Sequence, residues 1–220
     1  MATYNVNDLI TRTRQKADML NTDFVTDPEI VTYINEAYNR YYNTLVCTYE
    51  NYYSSTSSIV LVPGTADYAL PVDCLKPLGF DLNTNGNIIT LKPWQITNRN
   101  KAQYSTSNLP EFYMLLGDDV RFLGTPQTSD TITCYYTPQP TLLALAGTVK
   151  LLGGADEYVV LGAAISCLQK EESDVSVLEM KANQKLNDII SLLQGRNSDL
   201  PLKVTDVQFL NPHPWFTGII

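Results

Sequence analysis

The sequence predicts an α+β protein: a bundle of long helices with an inserted antiparallel β-rich domain and an extended C-terminal arm. Three patterns predict it. Residues 27–53 place apolar and tyrosine side chains at steps of three and four, with no Gly or Pro after Pro28. Residues 57–137 shift to a period near two and carry tight-turn dipeptides. Beyond Asn197 helical period is lost while Pro and aromatic residues persist. The implied division is an N-terminal helical part at 1–56, a β-rich insertion at 57–150, a second helical part completing the bundle at 151–197, and a docking arm at 198–220.

Asn5 or Asn7 can cap a first helix running to about Leu20, with Leu9, Ile10, Ala17 and Leu20 towards the core. Arg12 and Lys16 are four apart and share a face, which suits DNA phosphates, an acidic neighbour chain, or plain solvation. A short connection at 21–26 should tuck Phe24 beneath the helix pair. In the second helix Asp27 can accept from first-turn amides and Pro28 needs no amide partner there. Ile30, Ile34, Ala37, Tyr38, Tyr41, Leu45, Tyr49 and Tyr52 form its apolar stripe, and a helix of 27–53 would be roughly 40 Å long. Half of the 14 tyrosines lie in it. Tyr33, Tyr42 and Tyr53 fall off the stripe and would be exposed in a monomer, so they are the candidate subunit interface; the plainer reading is core with a few exposed rings.

In the β block, Pro63-Gly64 suits a type II turn before a short strand at 67–70. Asn85-Gly86 predicts a hairpin pairing Leu82 with Ile89 and Phe80 with Leu91, and Gly117-Asp118 one pairing Leu115 with Val120 and Tyr113 with Phe122. Residues 92–103 read as a short helix or an irregular crossing, and 132–137 as another strand. Six or more such strands form a small antiparallel sheet or open barrel. Gly153-Gly154 and Asp156 open a third helix to about Lys170, apolar almost all round. Its Gly162, Ala163, Ala164 and Ser166 let the tyrosine helix approach closely. Ser176 and Glu179 signal a capping box for a fourth helix, with Leu178, Ala182, Leu186, Ile189, Ile190 and Leu193 along its stripe and Gly195 at its end. The arm carries Val207, Phe209, Leu210, Trp215, Phe216, Ile219 and Ile220 among prolines. Exposed rings are costly, so it should dock, on its own core or along a groove or sheet edge of another chain.

Against 15 Lys and Arg stand 23 Asp and Glu, a net charge of −8 without a basic cluster. Gripping of nucleic acid through phosphates is therefore not expected, whereas a channel that repels DNA is compatible. Cys47, Cys74, Cys134 and Cys167 form no CxxC pair and read as reduced and mostly buried. No leader pattern and no membrane-length apolar run occurs, which predicts a soluble intracellular protein without membrane partners. Candidate chemistry is thin. The one histidine, His213, lies between prolines, and Asp118 with Asp119 occupies a turn. Glu171, Glu172 and Asp174 sit at a helix end, and no Lys-Ser/Thr pair follows Gly153-Gly154. No catalytic, cofactor or metal residue is assigned, and an enzyme is not expected.

Two stretches carry a family likeness: DLITRTRQKADMLNTDFVTDPEIVTYINEAYNRYYNTLV at 8–46 and DEYVVLGAAISCLQKEESDVSVL at 156–178. They resemble the head-to-tail adaptor proteins of tailed double-stranded DNA bacteriophages, the head-completion or connector proteins. The resemblance implies a structural virion protein of the neck, made in the host cytoplasm. Its partners would be the portal protein, a tail or nozzle protein, further copies in a ring of usually twelve, and double-stranded DNA passing without sequence-specific binding. On that reading Phe209, Leu210, Trp215, Phe216, Ile219 and Ile220 dock on the portal or a neighbour, and the β block faces the tail. Another virion role, tail terminator or minor capsid protein, is the alternative; a small metal-dependent hydrolase is the third.

Overall fold

The computed structural model describes residues 2–19, 21, 24–95, 97, 109–124 and 129–194. Strand β1 (Ala2–Asn5) passes directly into helix α1 (Val6–Ala17), which Asn5 caps by accepting the Asn7 amide at 2.9 Å. Leu9, Ile10 and Ala17 are buried as their spacing predicts, and Leu20 lies outside the described residues. Arg14 on this helix is buried too. Its guanidinium donates to the carbonyls of Met19, Asn21 and Val25 and to the Asp27 carboxylate, bracing the connection from inside. Asp27 is thereby engaged, and helix α2 (Asp27–Thr48) starts after Thr26 without a side-chain cap. Phe24 does not tuck under the helices; it is half exposed, with the Lys170 ammonium 5.1 Å from its ring centre.

Helix α2 is shorter than its sequence period predicts. It ends at Thr48, Tyr49 turns to φ −145° and ψ 92°, and Glu50–Tyr53 forms one 3-10 turn. Its 22 residues span roughly 33 Å. The turn is set by the neighbouring β block, since the buried Thr137 hydroxyl donates to the Glu50 carbonyl at 3.3 Å. The stripe from Ile30 to Leu45 is buried, while Tyr49 and Tyr52 beyond the turn are half-buried.

Eight strands follow: β2 (Ser55–Val60), β3 (Asp67–Ala69), β4 (Cys74–Thr84), β5 (Asn87–Thr90), β6 (Lys92–Pro93), β7 (Phe112–Leu116), β8 (Asp119–Leu123) and β9 (Thr131–Pro138). They form two four-stranded sheets, in the orders β2-β9-β4-β5 and β3-β8-β7-β6. Both predicted hairpins are present in the predicted register. Leu82 stands opposite Ile89 across a turn in which Asn85 and Gly86 have positive φ, and Leu115 and Tyr113 stand opposite Val120 and Phe122. Lys92–Pro93 is a strand parallel to β7, so pairing is not purely antiparallel. The sheets share one core, in which Phe80 meets Phe122 edge-on at 5.6 Å between ring centres.

A final strand, β10 (Thr148–Leu151), pairs antiparallel with β1 and sends Val149 and Leu151 into the helical core. Residue-by-residue periodicity did not reveal this ribbon. Helix α3 (Ala155–Lys170) starts after Gly154, whose φ of 87° suits glycine, and packs against α1, α2 and helix α4 (Ser176–Gln194). The capping box at Ser176 does not form: Ser176 is already helical, and the Asp174 carboxylate accepts both its amide and its hydroxyl. Ala182, Ile189 and Leu193 are buried and Leu178, Leu186 and Ile190 half-buried; Gly195 lies outside the described residues. Cys134 and Cys167 are buried, Cys74 is half-buried and Cys47 is exposed.

Helices α2 and α3 cross closely at Ala37 and Gly162. A Cβ placed on Gly162 would lie 2.8 Å from the Ala37 Cβ, so only glycine fits without one helix shifting. Gly162→Ala should therefore cost about 1–3 kcal/mol of unfolding free energy in urea titration. Helix propensity alone predicts a gain of about 1 kcal/mol, and observing that gain would show the crossing to be loose.

Candidate functional site

The aromatic residues converge where the helical core meets the β block. Tyr42 is 2% exposed, and its hydroxyl donates to the Pro138 carbonyl at 2.6 Å. Its ring stacks on Tyr53 with centroids 4.5 Å apart and planes 16° from parallel, while Tyr38 meets it edge-on. Tyr52 stands edge-on to Tyr53. The Tyr41 hydroxyl accepts the Leu152 amide at 3.2 Å. The rings carry large apolar area, and Tyr42 spends its hydroxyl on a backbone carbonyl of the β block, which ties the two cores together. On the opposite wall, Asn35 holds the backbone of Leu143 with two bonds, accepting from its amide and donating to its carbonyl.

This geometry corrects the expectation that Tyr42 is exposed. It lies one position round from the stripe, and the β block closes over it. Tyr53 is half-buried in the same cluster. Tyr33 is half-buried and donates to the Glu29 carboxylate at 3.0 Å, which also takes the Lys170 ammonium. Of the two basic candidates, Arg12 pairs with Asp156 at 2.7 Å and Lys16 is exposed. Burial alone would raise the Asp156 carboxyl, but bonds from Arg12 and Tyr4 hold it below its ordinary value. The arm residues Phe209, Leu210, Trp215, Phe216, Ile219 and Ile220, and His213, lie outside the described residues.

Surfaces that the sequence reading missed are apolar and peripheral. Edge strand β5 is exposed along its whole length, Ile88 at 71%. Consecutive isoleucines point to opposite faces of a strand, a sign that one of them cannot be core. Leu142 and Leu145 are exposed on the 139–147 stretch, and Val177, Met180 and Leu192 on α4. A cleft of about 460 Å³ lies between Tyr38, Tyr53, residues 141–144 and the outer side of β10. Among the described residues no group of three or more His, Cys, Asp and Glu side chains is placed to hold a metal ion, and no helix is long and apolar enough to cross a membrane.

Compared with known proteins, the chain matches the family model described as SU10 adaptor protein over residues 4–205. No curated protein matches it.

The tyrosine junction predicts alkaline sensitivity. Burial pushes the Tyr41 and Tyr42 phenols up to about 12 from an ordinary value near 10. Above pH 10 the unfolded chain gives up phenolic protons that the folded chain keeps, so stability is full below that point and falls as pH rises towards 12. Tyr42→Phe should flatten this fall in urea titrations between about pH 9 and 11.5 and lower stability at neutral pH by about 1 kcal/mol. An unchanged alkaline slope would contradict the inward placement of Tyr42.

Proposed function

The chain belongs to the SU10 adaptor protein family, and from that premise we propose that it is the head-to-tail adaptor of a tailed phage, a ring-forming subunit beneath the portal. The family is one of phage structural adaptors, which makes the chain a virion component that interacts with other virion proteins. In the finer reading, usually twelve copies form a ring that joins the capsid to the tail and continues the DNA channel. The family match over residues 4–205 carries this reading, because it spans both helical parts and the β block together.

Physical features support it. A net charge of −8 without a basic cluster suits a wall along which DNA slides without sticking. The helical unit, which includes the β1–β10 ribbon, with the inserted β block fixed to it by Tyr42, is a body of the kind that packs side by side in a ring. Exposed β5 and the exposed side of α4 are surfaces suited to neighbours, which moves the subunit contact away from Tyr42. Lys16 is the basic side chain left facing solvent on α1, for DNA or an acidic neighbour. We assign the arm, with Phe209, Leu210, Trp215, Phe216, Ile219 and Ile220, to the portal or a neighbouring subunit, and the β block to the tail side. The chain is given no catalytic role.

A chain truncated before Asn211 should retain the circular dichroism and thermal unfolding of the full chain yet fail to co-sediment with the portal of the same phage. Co-sedimentation at full-chain levels would remove the terminal part of the arm from portal docking.

A further inference from the structure

The two-stranded ribbon of β1 and β10 has an open outer edge, and that edge lines the 460 Å³ cleft. The Val6 amide donates to the Gly147 carbonyl at 3.0 Å, which fixes the alternation of the ladder. Tyr4 and Val149 then exchange bonds, while Thr148 and Lys150 turn their N–H and C=O groups away from β1. No hydrogen bond within the described residues reaches these four groups. Tyr41, accepting the Leu152 amide, marks the same side. A two-stranded ribbon is marginal, and a free edge beside an apolar cleft is a template for one more strand.

We propose that residues 202–210 of the same chain are that strand in the free subunit. The path of α4 brings the chain to the place. Lys185 pairs with Glu157 in the first turn of α3 at 2.9 Å, so the two helices run antiparallel, and α4 continues beyond that point to Gln194. Leu193 is buried in the same core as Val149 and Leu151. The chain thus leaves α4 at the end of the helical unit where β10 passes into α3. Seven residues, 195–201, reach at most about 25 Å from there. Between Pro201 and Pro212 no Gly or Pro occurs, and Val204, Thr205, Val207 and Phe209 favour strands. A register with Asp206 opposite Lys150 turns Thr205 and Val207 to the face on which Val149 and Leu151 are buried. The inference stands independently of the adaptor reading.

Amide hydrogen exchange on the full chain, resolved by residue with NMR, tests it. The Thr148 and Lys150 amides should exchange at least about tenfold slower than a free amide. Asp206→Pro, which removes the donor opposite Lys150, should release both, while Asn197→Pro should leave them protected. The Tyr4 and Val149 amides, bonded within the ribbon, should stay protected in all three proteins and report that the fold is intact. Rapid exchange at Thr148 and Lys150 in the unaltered chain, or protection that survives Asp206→Pro, would overturn the proposal. Protection that fades on dilution would overturn it too, because the occupant would then be a second copy.

Discussion

The approach of α2 to α3 at Ala37 and Gly162 governs the rest of the molecule. With no Cβ on Gly162 the Ala37 methyl lies against the α3 backbone, and the roll of α2 is fixed by what Gly162 permits. One turn on, that roll aims Tyr41 at the Leu152 amide and Tyr42 at the Pro138 carbonyl. The first bond ties the start of α3 to α2, and the second ties the β block to the helical unit. A looser crossing would leave two phenols buried without acceptors or donors, at a cost comparable with the crossing itself.

Two cores joined by a few buried rings suit a protein whose work is to hold other proteins in register. On the adaptor reading the load passes between neighbouring units, and buried phenol-to-carbonyl bonds with stacked rings resist rotation better than exposed ion pairs, which salt screens. The helical unit braces itself in the same manner. Arg14 spends its guanidinium on three backbone carbonyls and one carboxylate, closing the α1–α2 connection from within.

Local chemistry was legible and long-range closure was not. Asn85-Gly86 and Gly117-Asp118 gave both hairpins with their registers, because a two-residue turn fixes pairing by its own backbone geometry. The small residues of α3 correctly announced a close neighbour. The end of α2 was missed because nothing in residues 49–53 breaks helical period; the break comes from Thr137, 87 residues beyond Glu50. The β1–β10 ribbon joins four residues at one end to four at the far side of the β block, a pairing without local turn signal. Tyr42 looked exposed because periodicity knows only one helix face, whereas a second unit covered another. Of the candidate interaction residues, those in the arm lie outside the described residues, and the exposed faces of β5 and α4 became visible only once the sheets and helices were assembled.

The measurement that tests the adaptor reading most directly is the mass of the purified full chain by light scattering, alone and after mixing with the portal of the same phage. The reading predicts a complex in which multiple copies, twelve in the usual ring, add to one portal. A small oligomer whose mass is indifferent to the portal would contradict it and return the exposed β5 and α4 faces to a different assembly.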